Sequence, residues 1–367
     1  MMKSHNPWEV AVNRRELLKR AGVAALVSAM GSTGSSFVIA PAGSDSSRIR
    51  ESFDFGWKFG RGDFPDAWNA AFSDSNWKSV DLPHDWSIEG PFSEKEPAGA
   101  VGGYLPTGIG WYRKRFHLPN SYKDKQLTID FDGVYQNSEV WINNHYLGKR
   151  PYGYIPFFYD LTPHSNLETE NVITVKVDNS RQTNCRWYSG SGIYRHVWLL
   201  STNRLHVAHW GTFVTSPFVS RDAATLQIKT TIKNETRNSA SCTLTTNILD
   251  AEGKAIQSAE ASQEVAANGE YEFVQQVRVM NPHLWSVGHS YLYKVRSTVH
   301  EQNQVIDEYD TLMGIREAIF DADKGFLLNV LRRHRCMWLQ ERWFLFLSES
   351  MDRQARPTHL STLELEG

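Results

Sequence analysis

Three adjacent residues, Arg186-Trp187-Tyr188, carry the chemistry that a sugar site asks for. An aromatic face packs against the C–H groups of a pyranose, and guanidinium and phenol groups give directed hydrogen bonds to hydroxyls. They precede a Gly/Ser-rich run, Ser189-Gly190-Ser191-Gly192, and then a strand-like segment, His196-Val197-Trp198-Leu199-Leu200. The same residues would also serve packing, with Trp187 in the core and Arg186 paired to a structural acid, so the sequence leaves both uses open. The neighbours His84-Asp85 lack a positioned nucleophile. Leu82-Pro83-His84-Asp85-Trp86 reads instead as a loop in which both residues cap backbone groups. His206 and His209, three apart on a strand, would face opposite sides, so no metal is expected, nor any cofactor. Cys185, Cys242 and Cys336 show no CxxC or Cys/His ligand spacing and fit free thiols. A Cys185–Cys242 bridge is the open alternative.

The elements that must position these residues are strands. Of the 367 residues, 41% are hydrophobic and 22% charged, with a net charge of -2. That suits a soluble protein of two or three domains and argues against disorder or a polytopic membrane protein. A near-neutral balance gives no field for nucleic acid or anionic lipid. Eight of the 13 Trp fall between Trp57 and Trp198. Such density points to β structure, carbohydrate contact, or both. Trp57, Trp68, Trp77, Trp86, Trp111, Trp141 and Trp198 read mostly as core fillers.

Short apolar runs alternate with turn residues from Ser52 to about Asn203. Leu127–Phe131, Glu139–Ile142, Val172–Val177 and His196–Leu200 have strand character. Asn143-Asn144 reads as the turn of a tight hairpin. No helical period of useful length is present, and turns every 8–12 residues indicate a sandwich or jelly roll. A second block, from about Leu205 to Ile315, has cleaner alternation in Thr225–Lys233, Ala240–Leu249, Tyr271–Val279 and Tyr291–Val299. Seven or so strands in that length suggest an immunoglobulin-like sandwich.

The first 45 residues read as an address. Asn13-Arg14-Arg15-Glu16-Leu17-Leu18-Lys19 precedes a modest apolar stretch and the small residues Ala40-Pro41-Ala42. This resembles a twin-arginine export signal, which implies the twin-arginine export machinery as a partner and a periplasmic or extracellular address. The apolar stretch is too short and too interrupted to span a bilayer of about 30 Å, so no membrane span is expected in the mature protein.

Four ordered motifs resemble glycoside hydrolase family 2, in its bacterial β-galactosidase-like branch. They are Asn76–Trp86, Gly103–Lys114, Phe131-Asp132-Gly133-Val134 leading to Glu139–Asn143, and Arg186–Arg195. The resemblance covers about residues 50–328. It implies a galactose-binding-like jelly roll at 46–204, an immunoglobulin-like β-sandwich at 205–317, and the threshold of a (β/α)₈ barrel at 318–329. The fold class expected is therefore all-β. The activity implied is retaining hydrolysis of O-glycosyl bonds by two barrel glutamates. The loop holding Arg186, Trp187 and Tyr188 is the implied substrate-binding element, with a β-galactoside-like glycan as ligand. Asn184-Cys185-Arg186 stands where some members carry a carboxylate, which weakens the implication of galactose.

Past Asn329 the resemblance stops. Residues 330–367 hold six Arg and no Lys, with no strand–turn–helix order. A barrel needs at least about 200 further residues. The expectation is a truncated chain whose tail is out of frame through a frameshift or gene-model error, the alternative being a natural short extension. No catalytic residue is assigned. Asn234-Glu235 matches the family's acid motif in two letters only and reads as a solvated turn. Three readings follow: an inactive front part of an exported glycosidase, a stand-alone carbohydrate-binding or adhesion module, or a partner of a separately encoded barrel. Reading the DNA past the Asn329 codon in the other frames separates them.

Overall fold

The computed structural model describes residues 48–184 and 186–329; the segment expected to be an export signal, Cys185, Cys336 and residues 330–367 lie outside the described residues. The described chain is all-β, a jelly-roll sandwich followed by an immunoglobulin-like one. Ten strands build the first: β1 (Ile49–Ser52), β2 (Trp57–Arg61), β3 (Lys78–Val80), β4 (Gly108–Phe116), β5 (Gln126–Phe131), β6 (Ser138–Ile142), β7 (His145–Arg150), β8 (Phe157–Asp160), β9 (Asn171–Asn179) and β10 (Val197–Thr202). They form a six-stranded sheet in the order β3-β2-β4-β9-β6-β7 and a four-stranded sheet in the order β1-β10-β5-β8. All neighbours run antiparallel.

Between the two sheets Trp57, Tyr112, Ile129, Phe131, Ile142, Ile173, Val175 and Val197 close the core. The tryptophans divide by location. Trp57, Trp86 and Trp111 are buried, whereas Trp77, Trp141 and Trp198 are half-buried and Trp68 is exposed. Core filling thus accounts for three of the seven. On the outer side of the six-stranded sheet a charge is buried. Arg113 is 0% exposed, meets Asp74 at 2.9 Å, and donates to the carbonyls of Ala67, Asn69, Ala70 and Phe72. One fixed guanidinium fork thereby shapes the whole 67–74 loop.

The hairpin at Asn143-Asn144 forms because both residues take positive φ, 48° and 74°, as a two-residue turn matched to strand twist requires. Asn tolerates that region, and both side chains are used. Asn143 Nδ2 donates to His164 O and to Asn171 Oδ1, each at 2.8 Å, and Asn144 Oδ1 accepts from Ala70 N–H at 2.6 Å.

Seven strands make the second sandwich: β11 (Leu205–Val219), β12 (Ala223–Asn234), β13 (Ala240–Leu249), β14 (Ala255–Val265), β15 (Glu270–Met280), β16 (Tyr293–Glu301) and β17 (Gln304–Met313). The sheets run β11-β12-β15 and β14-β13-β16-β17, the three-plus-four partition of an immunoglobulin-like fold. Its core is two clusters, one around Leu226, Ile248 and Val295 and one around Ile232, Leu244 and Val299. Buried polar residues lie on the same strands: Thr246 Oγ1 donates to Gln275 Oε1 at 2.7 Å, and Thr230 and Ser297 are fully buried. Cys242 is a buried free thiol. Residues 318–328 form a two-stranded antiparallel hairpin, β18 (Ala318–Asp321) and β19 (Gly325–Leu328).

Contacts that tie the sandwiches include those of Asp307 and His209. Asp307 of β17, wholly buried, accepts from Arg48 Nε at 2.9 Å, Arg48 Nη2 at 2.8 Å and Val207 N–H at 2.7 Å. A bulge in β11, with Trp210 at φ 53°, sets His209 against the first sandwich, its Nε2 3.6 Å from Asp130 Oδ2 and its ring 4.1 Å from that of Phe158. Burial drives the Asp130 carboxyl up to about 6, with Asp132 adding to it. Burial likewise drives the His209 imidazole down to about 4. Both shifts favour the neutral forms, so they work against an ion pair at this contact. A raised carboxyl pKa gives stability that is present at low pH and lost as pH rises through about 6. Asp130→Asn should therefore raise Tm relative to the parent at pH 8, keep only about half of that advantage at pH 5, and lose it below the ordinary carboxylate value of 3.8; a constant difference across the pH series would refute this.

Candidate carbohydrate-contact site

The loop between β9 and β10 is sewn down at its base by Asn179, 1% exposed. Its Nδ2 donates to Gly190 O at 3.1 Å and Ser191 Oγ at 2.8 Å. Its Oδ1 accepts from Gln182 Nε2 and Asn184 Nδ2, both at 2.9 Å. One amide thus joins both legs of the loop. Ser191 Oγ in turn lies 2.7 Å from Ser87 Oγ, which donates to Pro106 O at 2.6 Å. The glycines are required here. Gly190 has φ 74°, and a Cβ on it would stand 2.8 Å from Asp85 Oδ2; Gly192 has φ 120°, and its Cβ would meet His84 O at 2.6 Å.

Asp85 is the second anchor. Its Oδ1 accepts from Ser87 N–H at 3.0 Å, capping the 3-10 turn Trp86–Glu89, and from Ser191 N–H at 2.8 Å. Its Oδ2 accepts the Tyr188 hydroxyl. Burial, with this carboxylate beside it, raises the Tyr188 phenol well above its ordinary range. With both oxygens committed to three donors, Asp85 positions the loop and offers no free nucleophile. The capping expected of Asp85 is found; that expected of the His84 ring is not. His84 Nδ1 lies 2.7 Å from Tyr112 Oη and Nε2 lies 3.3 Å from Glu89 Oε1, so the ring ties side chains together. Burial lowers its pKa despite the pull of Glu89.

Trp187 is 59% exposed and Tyr188 41%, so neither is core, and Arg186 is exposed with no ion pair among the described residues. The packing use left open by sequence is thereby excluded for Trp187 and Arg186. The indole Nε1–H donates to Tyr154 Oη at 3.2 Å. Tyr154 packs against Tyr135 at 5.2 Å and Tyr152 at 5.7 Å between ring centroids. Tyr152 and Tyr154, both exposed, extend the aromatic wall and escape sequence reasoning. The signal was present in Pro151-Tyr152-Gly153-Tyr154-Ile155-Pro156, aromatics held between prolines on a loop. On the other side, a recess runs between Tyr188 and the segment carrying Ala98, Val101 and Leu105. The arrangement can stack a sugar ring and hydrogen-bond its edge, but it holds no pair of free carboxylates.

The remaining candidates are scattered. His206 is buried in the second sandwich, whereas His209 faces the first. Among the described residues no group of three or more His, Cys, Asp or Glu could hold a metal ion. Asn234-Glu235 is a turn but not a solvated one. Asn234 is 0% exposed; its Nδ2 donates to Asn238 O at 2.9 Å and Val265 O at 3.1 Å, and its Oδ1 accepts from Thr236 N–H at 2.9 Å. Glu235 pairs with Lys233. Among the described residues no helix is long and apolar enough to cross a membrane.

A jelly roll with an aromatic-rimmed loop, followed by an immunoglobulin-like sandwich, defines a chain of tandem β-sandwich domains. Residues 49–203 match the family described as glycosyl hydrolases family 2, sugar binding domain, and residues 205–316 match that described as glycosyl hydrolases family 2. The chain belongs to glycosyl hydrolase family 2. It is 45% identical over 300 residues to the β-galactosidase BoGH2A of Bacteroides ovatus, covering 82% of this chain and 34% of that protein. A family 2 member from Bacteroides cellulosilyticus superposes with a TM-score of 0.73 at 37% identity, over 76% of this chain and 37% of that one. A β-glucuronidase of Bacteroides uniformis gives 0.70 at 30% identity, over 77% and 34%. The chain spans about a third of the length of the curated relatives it matches.

Proposed function

We propose that the chain is the sugar-contacting front of an exported β-galactosidase-like glycosidase, organised as modules at 46–204 and 205–317, and that Arg186, Trp187 and Tyr188 touch the glycan. The observation that carries this reading is the Trp187 side chain. It is 59% exposed on a loop whose base is fixed by Asn179 and Asp85. A large aromatic held out to solvent by a rigid base suits ligand contact better than packing. The polypeptide of 367 residues contributes contact but no hydrolysis, because retaining cleavage needs two carboxyl groups about 5–5.5 Å apart across the bond. Purified chain should bind lactose weakly, with Kd on the order of millimolar, since an open half-site encloses little of the sugar. Trp187→Ala should weaken that binding at least about tenfold, as loss of an aromatic anchor does. No turnover of an aryl β-galactoside should exceed a matched blank. Turnover that survives purification and is abolished by one carboxylate substitution in this chain would sink the reading.

Export belongs to the same proposal. It rests on Arg14-Arg15 ahead of an apolar stretch. Changing both to Lys should leave unprocessed protein in the cytoplasm. Normal cleavage and export of that variant would replace the twin-arginine route with the general secretory one.

A further inference from the structure

A second concavity lies in the second sandwich and shares no residue with the Trp187 loop. It is a cleft of about 270 Å³ between the β13–β14 turn and the segment leading from β15 to β16. Its floor is apolar: Ile256 and the buried ring of Tyr293. Ile256 arrives there through a bulge, since the ladder passes from Ile248↔Gln257 to Leu249↔Ala255 and skips it. A bulge on an edge strand re-aims a side chain. One wall is aromatic. The His283 and Tyr291 rings lie 4.6 Å apart at 32°, and Tyr291 meets Tyr293 edge-on at 4.9 Å.

The wall is fixed before any ligand arrives. Tyr291 Oη accepts from Ala251 N–H at 3.1 Å and Tyr293 Oη accepts from His283 N–H at 2.8 Å. The turn is equally rigid, because Asp250 Oδ1 accepts from the N–H groups of Glu252 at 3.1 Å and Lys254 at 2.8 Å. At the rim, the exposed side chains of Glu252 and Gln257 make no hydrogen bond among the described residues. A carboxylate accepts and an amide both donates and accepts, which is what the vicinal hydroxyls of a sugar require. The aromatic faces and the apolar floor suit the C–H side of the ring. The volume fits one ring, near the lower end for ligand pockets.

We propose that this cleft is a second carbohydrate-binding site, taking a single neutral hexopyranose unit of a glycan, independent of the Arg186-Trp187-Tyr188 loop. A glycosidase front with two separated sugar contacts would hold a polymeric or branched glycan at two points, with gains set by spacing rather than by either affinity.

The methyl groups of Ile256, Val279 and Met280 line the cleft and serve as reporters. The full chain, carrying labelled Ile, Val and Met methyls, is titrated with lactose and separately with cellobiose. The three signals should shift saturably with at least one of the two, with Kd on the order of millimolar. Trp187→Ala should leave these shifts unchanged, which separates this site from the loop. Glu252→Ala combined with Gln257→Ala should weaken them at least about tenfold, as expected for two hydrogen bonds to a ligand. Both residues are exposed, so the fold should survive. Absence of shifts with both sugars, equal shifts with glycerol at the same concentration, or indifference to the double variant would overturn the proposal.

Discussion

Replacing Asp307 by alanine is expected to destabilise the chain by about 3–5 kcal/mol, the range for breaking a buried charge pair from one side. Asp307 is 0% exposed, and its two oxygens take two Arg48 donors and the Val207 N–H. Removing it takes the carboxylate from the Arg48 guanidinium, which also donates to Val207 O at 2.6 Å and lies 4.8 Å from the centre of the Tyr309 ring. It also leaves a buried N–H unpaired. In thermal unfolding this should appear as a fall on the order of 10 °C. The contrast is Asp310→Ala. Asp310 makes an equally well-formed fork with Arg296, at 2.8 and 2.9 Å, but both side chains are about a third exposed. Solvent screening should hold that loss to about 0–1 kcal/mol. Equal losses from the two variants would mean that burial is not what makes the Arg48 clasp strong.

Asp85→Ala should do its damage at the loop. It removes the acceptor for Ser87 N–H, Ser191 N–H and Tyr188 Oη–H together. Losing a charged acceptor and a cap should cost about 2–4 kcal/mol. The local consequence is larger, because Tyr188 loses its tether and the loop must rely on Asn179, the Ser87–Ser191 hydroxyl contact and the Trp187–Tyr154 hydrogen bond. Tryptic cleavage after Arg186, followed by mass spectrometry, should rise at least about tenfold, as expected when local opening becomes easier by about 1.4 kcal/mol. Lactose binding should fall with it. Asp85→Asn should recover most of both, since Asn keeps an Oδ1 acceptor and can donate to Tyr188 Oη. An alanine variant that cuts no faster than the parent would show that Asp85 does not hold the loop.

The strands that sequence made legible are those with one face in the core. β12 alternates buried and half-buried positions from Ala224 to Ile232, and Asn143-Asn144 announces its turn by composition. The edge strands were less legible. β14 buries only Val265 outright and β17 buries only Asp307, so neither carries a period-two apolar signal. β11 was obscured by its bulge, where His209, Trp210 and Gly211 interrupt the alternation. Long-range polar pairing was illegible for a different reason. Arg113 reads as a surface residue until Asp74, 39 positions away, is folded against it. In the candidate site, Trp187 and Tyr188 stood out by type. Tyr154 lies 33 positions from Trp187, and only the packing of two loops at one end of the jelly roll brings them together.

The clasp between Arg48 and Asp307 joins residues 259 positions apart, and β1 closes its sheet only by pairing Ile49 with Ser201. A ribosome releases the chain from its N-terminus, so Arg48 and β1 emerge long before either partner exists. The earliest segment of the body is therefore the last to be locked. Contacts that span so much sequence also form slowly. Arg48 can meet Asp307 only once both sandwiches have been synthesised. Closure of the Arg48–Asp307 clasp thus serves as a timer for completed folding, set only when the second sandwich is in place.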